Sequence, residues 1–157
     1  MILRGRVAWA KVLGKPAKGY DENEREWSID FEPTEEGVKR YLEEGGSDFY
    51  IKSKDNHPLD RYIAFKRREL KRDGTPAKPI EVLDAKGKPW DPSVKIGNLS
   101  VVDAKFALNE ITAGRVKRMK PSLIALRVVE HVPYEGAEGR DSDFEDFTFD
   151  DENWDED

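Results

Sequence analysis

The most regular stretch of the chain is Glu26-Trp27-Ser28-Ile29-Asp30-Phe31-Glu32, in which polar and apolar residues alternate without a break. A period of two is what a strand with one buried face requires, because successive side chains leave the pleated backbone on opposite sides. Residues 2–13 read the same way, with Leu3, Val7, Trp9 and Val12 supplying strand-forming bulk before Gly14, Pro16 and Gly19 interrupt the run. After the alternating stretch, Pro33-Thr34 offers a helix entry. Thr34 can cap it, Glu35 and Glu36 sit near the positive end of the dipole, and Val38, Tyr41 and Leu42 share a face until Gly45-Gly46.

Phe49-Tyr50-Ile51 begins the next extended segment, which should end before Asn56-His57-Pro58. Residues 59–70 predict a strand carrying Tyr62, Ile63 and Phe65 among Arg61, Lys66, Arg67 and Arg68. The turn chemistry of Asp73-Gly74-Thr75-Pro76 makes residues 80–83 the expected return arm of a hairpin. A loop punctuated by Gly87, Pro89, Trp90, Asp91, Pro92 and Gly97 follows. Strands over 99–109 and 122–132 complete the pattern, separated by a basic connection that holds Arg115, Lys117, Arg118 and Lys120. A parallel α/β sheet would need a helix for every crossover, and this pattern supplies one short helix among many strands. The expected fold is therefore mainly β: a small closed or partly open barrel with long loops.

Composition sharpens this picture at a few points. A chain of 157 residues supports one core of adequate size, so one domain over residues 1–132 and a tail over 133–157 are expected. The absence of cysteine removes disulfides, thiolate nucleophiles and Cys-ligated zinc together, and fits a reduced intracellular setting. No apolar run approaches the ~20 residues that cross a bilayer, and the start of the chain lacks the apolar segment of a secretion signal, so the cytoplasm is expected. The net charge of −6 conceals a segregation. Of 33 acidic and 27 basic residues, 12 acids but only Arg140 among the bases lie in residues 133–157, so the tail carries −11 and the rest +5. A basic body followed by a polyanionic tail points to nucleic-acid contact by the first and a regulatory role for the second.

Gripping a single strand needs cations for phosphates and flat side chains for bases, since every base has a π-face whatever its identity. Pleating of residues 61–68 places Tyr62, Lys66 and Arg68 on one face and Arg61, Phe65 and Arg67 on the other. One face can then pack while the other binds. Tyr62 and Phe65 each suit either a barrel interior or a base; Trp9 and Phe106 are ambiguous in the same way, and Trp90 suits either stacking or capping a barrel end. Trp27, in phase with Ile29 and Phe31, is assigned to the core. The candidate single-strand contacts are Trp9, Lys11, Tyr62, Phe65, Lys66, Arg67, Arg68, Trp90, Lys105 and Phe106, with Arg115, Lys117, Arg118 and Lys120 as a second cationic wall.

The tail is too charged to bury itself, so disorder is the expectation for it. Phe144, Phe147, Phe149 and Trp154, spaced among carboxylates, have the pattern of anchors for a basic, apolar pocket on a partner. The run Asp150-Asp151-Glu152-Asn153-Trp154 lacks the glycine and ligand spacing of a calcium loop. His57 and His131 are the only histidines, with no metal-protease, phosphate-loop or nucleophile-elbow signature, so neither catalysis, a metal nor a cofactor is expected.

Several segments, in order, resemble the OB-fold single-stranded DNA-binding proteins of tailed phages. They are Val7-Ala8-Trp9-Ala10-Lys11-Val12, Trp27-Ser28-Ile29-Asp30, Tyr62-Ile63-Ala64-Phe65-Lys66-Arg67, Val82-Leu83-Asp84-Ala85, Ile96-Gly97-Asn98-Leu99-Ser100 and Leu123-Ile124-Ala125-Leu126-Arg127-Val128-Val129. The resemblance covers about residues 1–135 and the tail. It implies an OB-fold barrel, an oligonucleotide groove without strong sequence preference, a homodimer, and a tail that contacts replicative DNA polymerase and helicase or primase in the infected host's cytoplasm. Two positions depart from it: Leu99 stands where glycine is commoner, and the chain ends Trp154-Asp155-Glu156-Asp157 rather than on an aromatic. The rival class is a protein-interaction or chaperone-like factor in which the acidic tail acts and the barrel is a scaffold.

Overall fold

The structure, a computed structural model, describes residues 1–18 and 24–134. The alternating stretches become the strands of its first half. Strand β1 (Ile2–Lys11) pairs antiparallel with β3 (Arg25–Pro33), and β3 pairs in turn with β5 (Tyr62–Arg68). The early residues of β1 also pair with β7 (Val101–Ala113), which forms a long antiparallel ladder with β8 (Val116–Glu130). Three short strands complete the sheet: β2 (Ala17–Lys18) on β3, β4 (Ile51–Lys52) on β5 and β6 (Glu81–Leu83) on β8. The order is β4-β5-β3-β1-β7-β8-β6. The sheet curls until the guanidinium of Arg67, on β5, donates to the carbonyls of Lys78 (2.9 Å) and of Leu123 on β8. The result is a mainly β, OB-fold-like barrel with one α-helix among the described residues.

Sharing β1 between two neighbours demands a close crossing, and Gly5 provides it. This residue lies opposite Pro33 of β3 and Val102 of β7. A Cβ here would stand 2.0 Å from the Glu32 carbonyl oxygen, so a side chain would force the strands apart. The inward faces supply the core: Leu3 and Val7 from β1, Trp27, Ile29 and Phe31 from β3, Ile63 and Phe65 from β5, Phe106 from β7 and Leu126 from β8 are all buried. Trp27 is in this core as its phase requires, and its indole N–H donates to the Gly14 carbonyl (3.0 Å), which ties down the turn after β1.

The helix α1 (Glu35–Glu43) starts where Thr34 accepts from the Gly37 N–H (3.1 Å). It connects the second long strand to the third and sends Tyr41 into the core, where the ring meets Phe106 and the hydroxyl donates to the Ser47 carbonyl (2.8 Å). Val38 and Tyr41 are buried, but Leu42, expected on the same face, is exposed.

Three expectations change. Residues 49–51 do not start as a strand: Asp48–Tyr50 form a 3₁₀ turn, because the Ser47 hydroxyl accepts from the Phe49 N–H (3.2 Å), and only Ile51 and Lys52 are extended. Residues 80–83 are not the return arm of a hairpin with β5. The turn at Asp73-Gly74 closes locally, with the Lys71 N–H on the Thr75 carbonyl (2.8 Å), and the chain crosses to β8 and pairs with it in parallel. The basic connection is not a loop either: the β7–β8 ladder continues to Ala113 opposite Val116. It turns at Gly114-Arg115 with Gly114 at φ +64, the glycine-first geometry of a two-residue hairpin. The tail residues Phe144, Phe147, Phe149 and Trp154, and the expectation of disorder there, lie outside the described residues.

Candidate nucleic-acid interface

The outward residues of β1, β3 and β5 make one continuous surface. Its register sets Ala8 against Asp30, Lys11 against Ser28, Ser28 against Lys66 and Asp30 against Ala64. Between the first two pairs β1 advances three residues while β3 advances two, so β1 carries one extra residue, a bulge. Trp9 occupies it with φ +51, a left-handed backbone that a bulky residue rarely adopts. The surroundings hold it there. The Leu99 N–H donates to the Val7 carbonyl (2.7 Å), the Val7 N–H to the Ser100 carbonyl (3.0 Å), and the Trp9 N–H to the side-chain oxygen of Asn98 (2.9 Å). Leu99 itself has φ +72, which is the physical reason glycine would suit that position.

The bulge turns the indole outward, where it remains 48% exposed. One side rests on His57 (4.4 Å between ring centroids), and His57 stacks flat on Tyr62 (3.9 Å, 10° between planes). His57 is locked: the Leu59 N–H donates to its Nδ1 (2.9 Å), which leaves Nε2–H to donate to Asp30 (2.8 Å). The loop of residues 53–61 thereby folds over half of the outer face and buries Ala8, Leu59 and Tyr62 as a satellite of the core. Burial, with Asp30 second, raises the Tyr62 phenol pKa above its ordinary value.

The other half of the face is open. It carries Lys11, Lys66 and Arg68, all exposed, with Ser28 and half-buried Ala64 between them and half-buried Glu26 opposite Arg68. Among the described residues Lys11 and Lys66 make no ion pair, whereas Arg68 pairs with Glu24 (3.1 Å). At the far end of the face the charge is spent internally, with Arg6 on Glu32 (2.6 Å). The arrangement is an open cationic trough with an aromatic step at its edge. It can stack a planar group on the free side of Trp9 and neutralise anions along Lys11 and Lys66.

Several expected contacts lie elsewhere. Phe65 (2% exposed) and Phe106 (0%) fill the core and meet at 5.5 Å between centroids, so neither can accept a base. Tyr62 is on the expected face but lies beneath His57. Arg67 points inward as the seam of the barrel, where burial lowers its pKa. Trp90 is half-buried against the core, with its N–H on the Val94 carbonyl (2.8 Å) and its ring edge-on to His131, which is the capping role. Lys105 is exposed opposite Ile2, at the other end of β1 from Lys11. On that side Asp103 takes Arg4 (2.8 Å) and Arg127 (2.6 Å), and these hydrogen bonds, Arg4 first, hold its carboxyl below the usual range. Arg115, Lys117, Arg118 and Lys120 are gathered on the projecting β7–β8 arm, with Lys117 3.9 Å from Glu110. The sequence reading missed His57 and Asn98 as the residues that hold Trp9. The only signal for His57 was its place in a turn, Asn56-His57-Pro58, where Asn56 indeed takes φ +61.

No protein-family model matches the sequence, and no curated protein matches it. Solved structures do match the fold. The single-stranded DNA-binding protein from bacteriophage Enc34 in complex with ssDNA aligns with TM-score 0.60 at 14% identity, over 85% of this chain and 87% of that one. The single-stranded DNA-binding protein gp2.5 encoded by bacteriophage T7 aligns with TM-score 0.59 at 17% identity, over 84% of this chain and 92% of that one. A C-terminal truncation of the Enc34 protein gives TM-score 0.59 at 15% identity, over 84% of this chain and 86% of that one. The likeness is one of fold, carried across most of both chains: the barrel has the architecture of the phage single-stranded DNA-binding proteins.

Proposed function

We propose that this chain binds single-stranded DNA, without strong sequence preference, in the trough on the outer face of β1, β3 and β5. Trp9 is the base-stacking platform, and Lys11, Lys66 and Arg68 neutralise phosphates. The observation that carries the reading is Trp9 itself. A large indole is kept half-exposed in a strained backbone conformation, at a bulge, on a stack of two rings, beside lysines with no acidic partner among the described residues. Strain of this kind is retained where the surroundings over-determine it, and such places cluster at binding sites. The shared architecture with a protein solved on ssDNA supports the same reading.

We further propose a role in phage DNA replication, recombination and repair, in the infected cell's cytoplasm and as a homodimer. In that role the acidic segment recruits replication proteins, the polymerase and the helicase or primase among them, through Phe144, Phe147, Phe149 and Trp154. The same segment, with its charge of −11, competes with DNA for the trough. Tethering supplies an effective concentration in roughly the millimolar range.

Titration with oligothymidylate, followed by intrinsic tryptophan fluorescence and by gel shift, tests the central claim. Salt-sensitive quenching with a shifted band is the expected result; no change at low salt refutes single-strand binding and leaves the interaction-scaffold reading. Removing residues 135–157 should tighten DNA binding in a salt titration and abolish capture of the polymerase, and unchanged affinity would reject the competition.

A further inference from the structure

Among the described residues Phe49 is the most exposed large apolar side chain, at 56%. Scattered exposed apolar residues are ordinary, but this one is organised. The Ser47-capped turn presents it, Tyr50 meets it edge-on (5.2 Å between centroids), and the Arg118 guanidinium lies over its face at 3.8 Å from the centroid. Arg118 comes from the β7–β8 arm, and it forms no ion pair with a carboxylate among the described residues. A guanidinium over a phenyl ring leaves its own outer face and its N–H edges available, the combination that suits a base and its phosphate.

The pair lies beyond the covered half of the outer face. Lys52 is directly opposite Tyr62, which the loop of residues 53–61 covers, so it flanks that loop on the side away from β1 and Trp9. From β1 through β3 and β5 to β4 is three strand spacings, about 14 Å. Exposed Lys52 and Lys54 lie along that side, and Lys120 continues the positive charge on the arm. Asp48 and Asp55 are the nearby acids in sequence, and neither forms an ion pair among the described residues.

We propose that Phe49 and Arg118 form a second base-stacking site, so that a single strand runs from Trp9 past the loop of residues 53–61 onto the β7–β8 arm. This rests on the single-strand reading of the trough and extends it to a second platform. The basic arm then has a specific task, to close over the strand from the side of the seam.

The test compares Phe49→Leu, Phe49→Tyr, Arg118→Lys and Trp9→Ala in the full chain, each titrated with oligothymidylates of about four and about sixteen nucleotides. Loss of one stacked base is expected to weaken binding of the longer strand by about 5- to 150-fold in Phe49→Leu, and of the shorter one by less than about twofold. Phe49→Tyr keeps the ring and should bind as the wild type does. Arg118→Lys keeps the charge, so affinity for the longer strand should fall while its salt dependence stays the same. The site is overturned if Phe49→Leu and Phe49→Tyr bind the longer strand alike. It is overturned equally if Phe49→Leu loses both lengths in proportion to a fall in melting temperature, which would make the pair a strut for the arm. Weakening by Trp9→Ala with indifferent Phe49 variants removes only this second platform; a wild type that binds neither strand removes the trough as well.

Discussion

Replacing Trp9 with glycine separates what the indole does for the fold from what it does for binding. In the folded chain two effects oppose each other. A non-glycine residue at φ +51 carries a penalty of about 1–2 kcal/mol that glycine releases. Against this, a tryptophan buries about 150–250 Å² when fully covered. With Trp9 half covered, about 100 Å² of contact with His57 and its neighbours is lost, worth about 2.5 kcal/mol. Glycine also gives the unfolded chain about 0.5–1 kcal/mol of extra freedom. The balance is a destabilisation of about 1–2.5 kcal/mol, a drop of several degrees in melting temperature for a domain of this size. Binding has no such compensation. Losing one stacked base costs about 1–3 kcal/mol, or about 5- to 150-fold in Kd. Melting followed by circular dichroism and anisotropy of a labelled oligothymidylate at one fixed low salt concentration measure both quantities on the same protein. Trp9→Phe, which keeps a ring, should recover most of the affinity. A folded Trp9→Gly protein whose Kd matches the wild type would falsify the assignment of Trp9 as the platform.

Three other outcomes follow from named contacts. Lys66→Ala should lower the slope of log K against log salt by about 0.7, equally for any base composition, because one phosphate contact is removed; an unchanged slope in a fluorescence titration places Lys66 outside the path. Gly5→Ala should destabilise the barrel by about 3 kcal/mol, since the added methyl meets the Glu32 carbonyl at 2.0 Å and only a backbone shift relieves it. A urea midpoint equal to the wild type's would contradict so close a crossing. Burial pushes the Tyr41 phenol up to about 12, against about 10 in the unfolded chain. The raised value favours the neutral form, so its stabilisation is complete below about pH 10 and is lost as pH rises from there towards 12. Urea midpoints at about pH 9 and 11 should therefore fall in the wild type and much less in Tyr41→Phe.

The parts of this fold that were legible in the sequence are those set by local chemistry. The alternation over 26–32 placed β3 and put Trp27 in the core, and Thr34 with the paired glycines after it bounded α1. Turn residues marked the breaks, and pleating separated Tyr62, Lys66 and Arg68 from Phe65 and Arg67 correctly. The errors share a cause. Whether Phe65 or Phe106 stacks on DNA or fills the interior depends on which face of its strand closes onto the barrel, and whether residues 80–83 return to β5 or cross to β8 depends on where a free edge lies. Spacing along the chain contains neither.

The candidate site divides in the same way. Residue types, the charge segregation and the ladder phase are properties of the chain alone, and they narrowed the reading to a basic, aromatic β-barrel. Only the assembled barrel brings Asn98 and His57, which stand 89 and 48 positions from Trp9, against that one residue. Their contacts hold an extra residue in a left-handed bulge and turn its indole outward. A bulge is a mismatch in length between two strands, so it does not exist until both strands are paired, and a residue forced into it cannot be recognised from its neighbours in sequence.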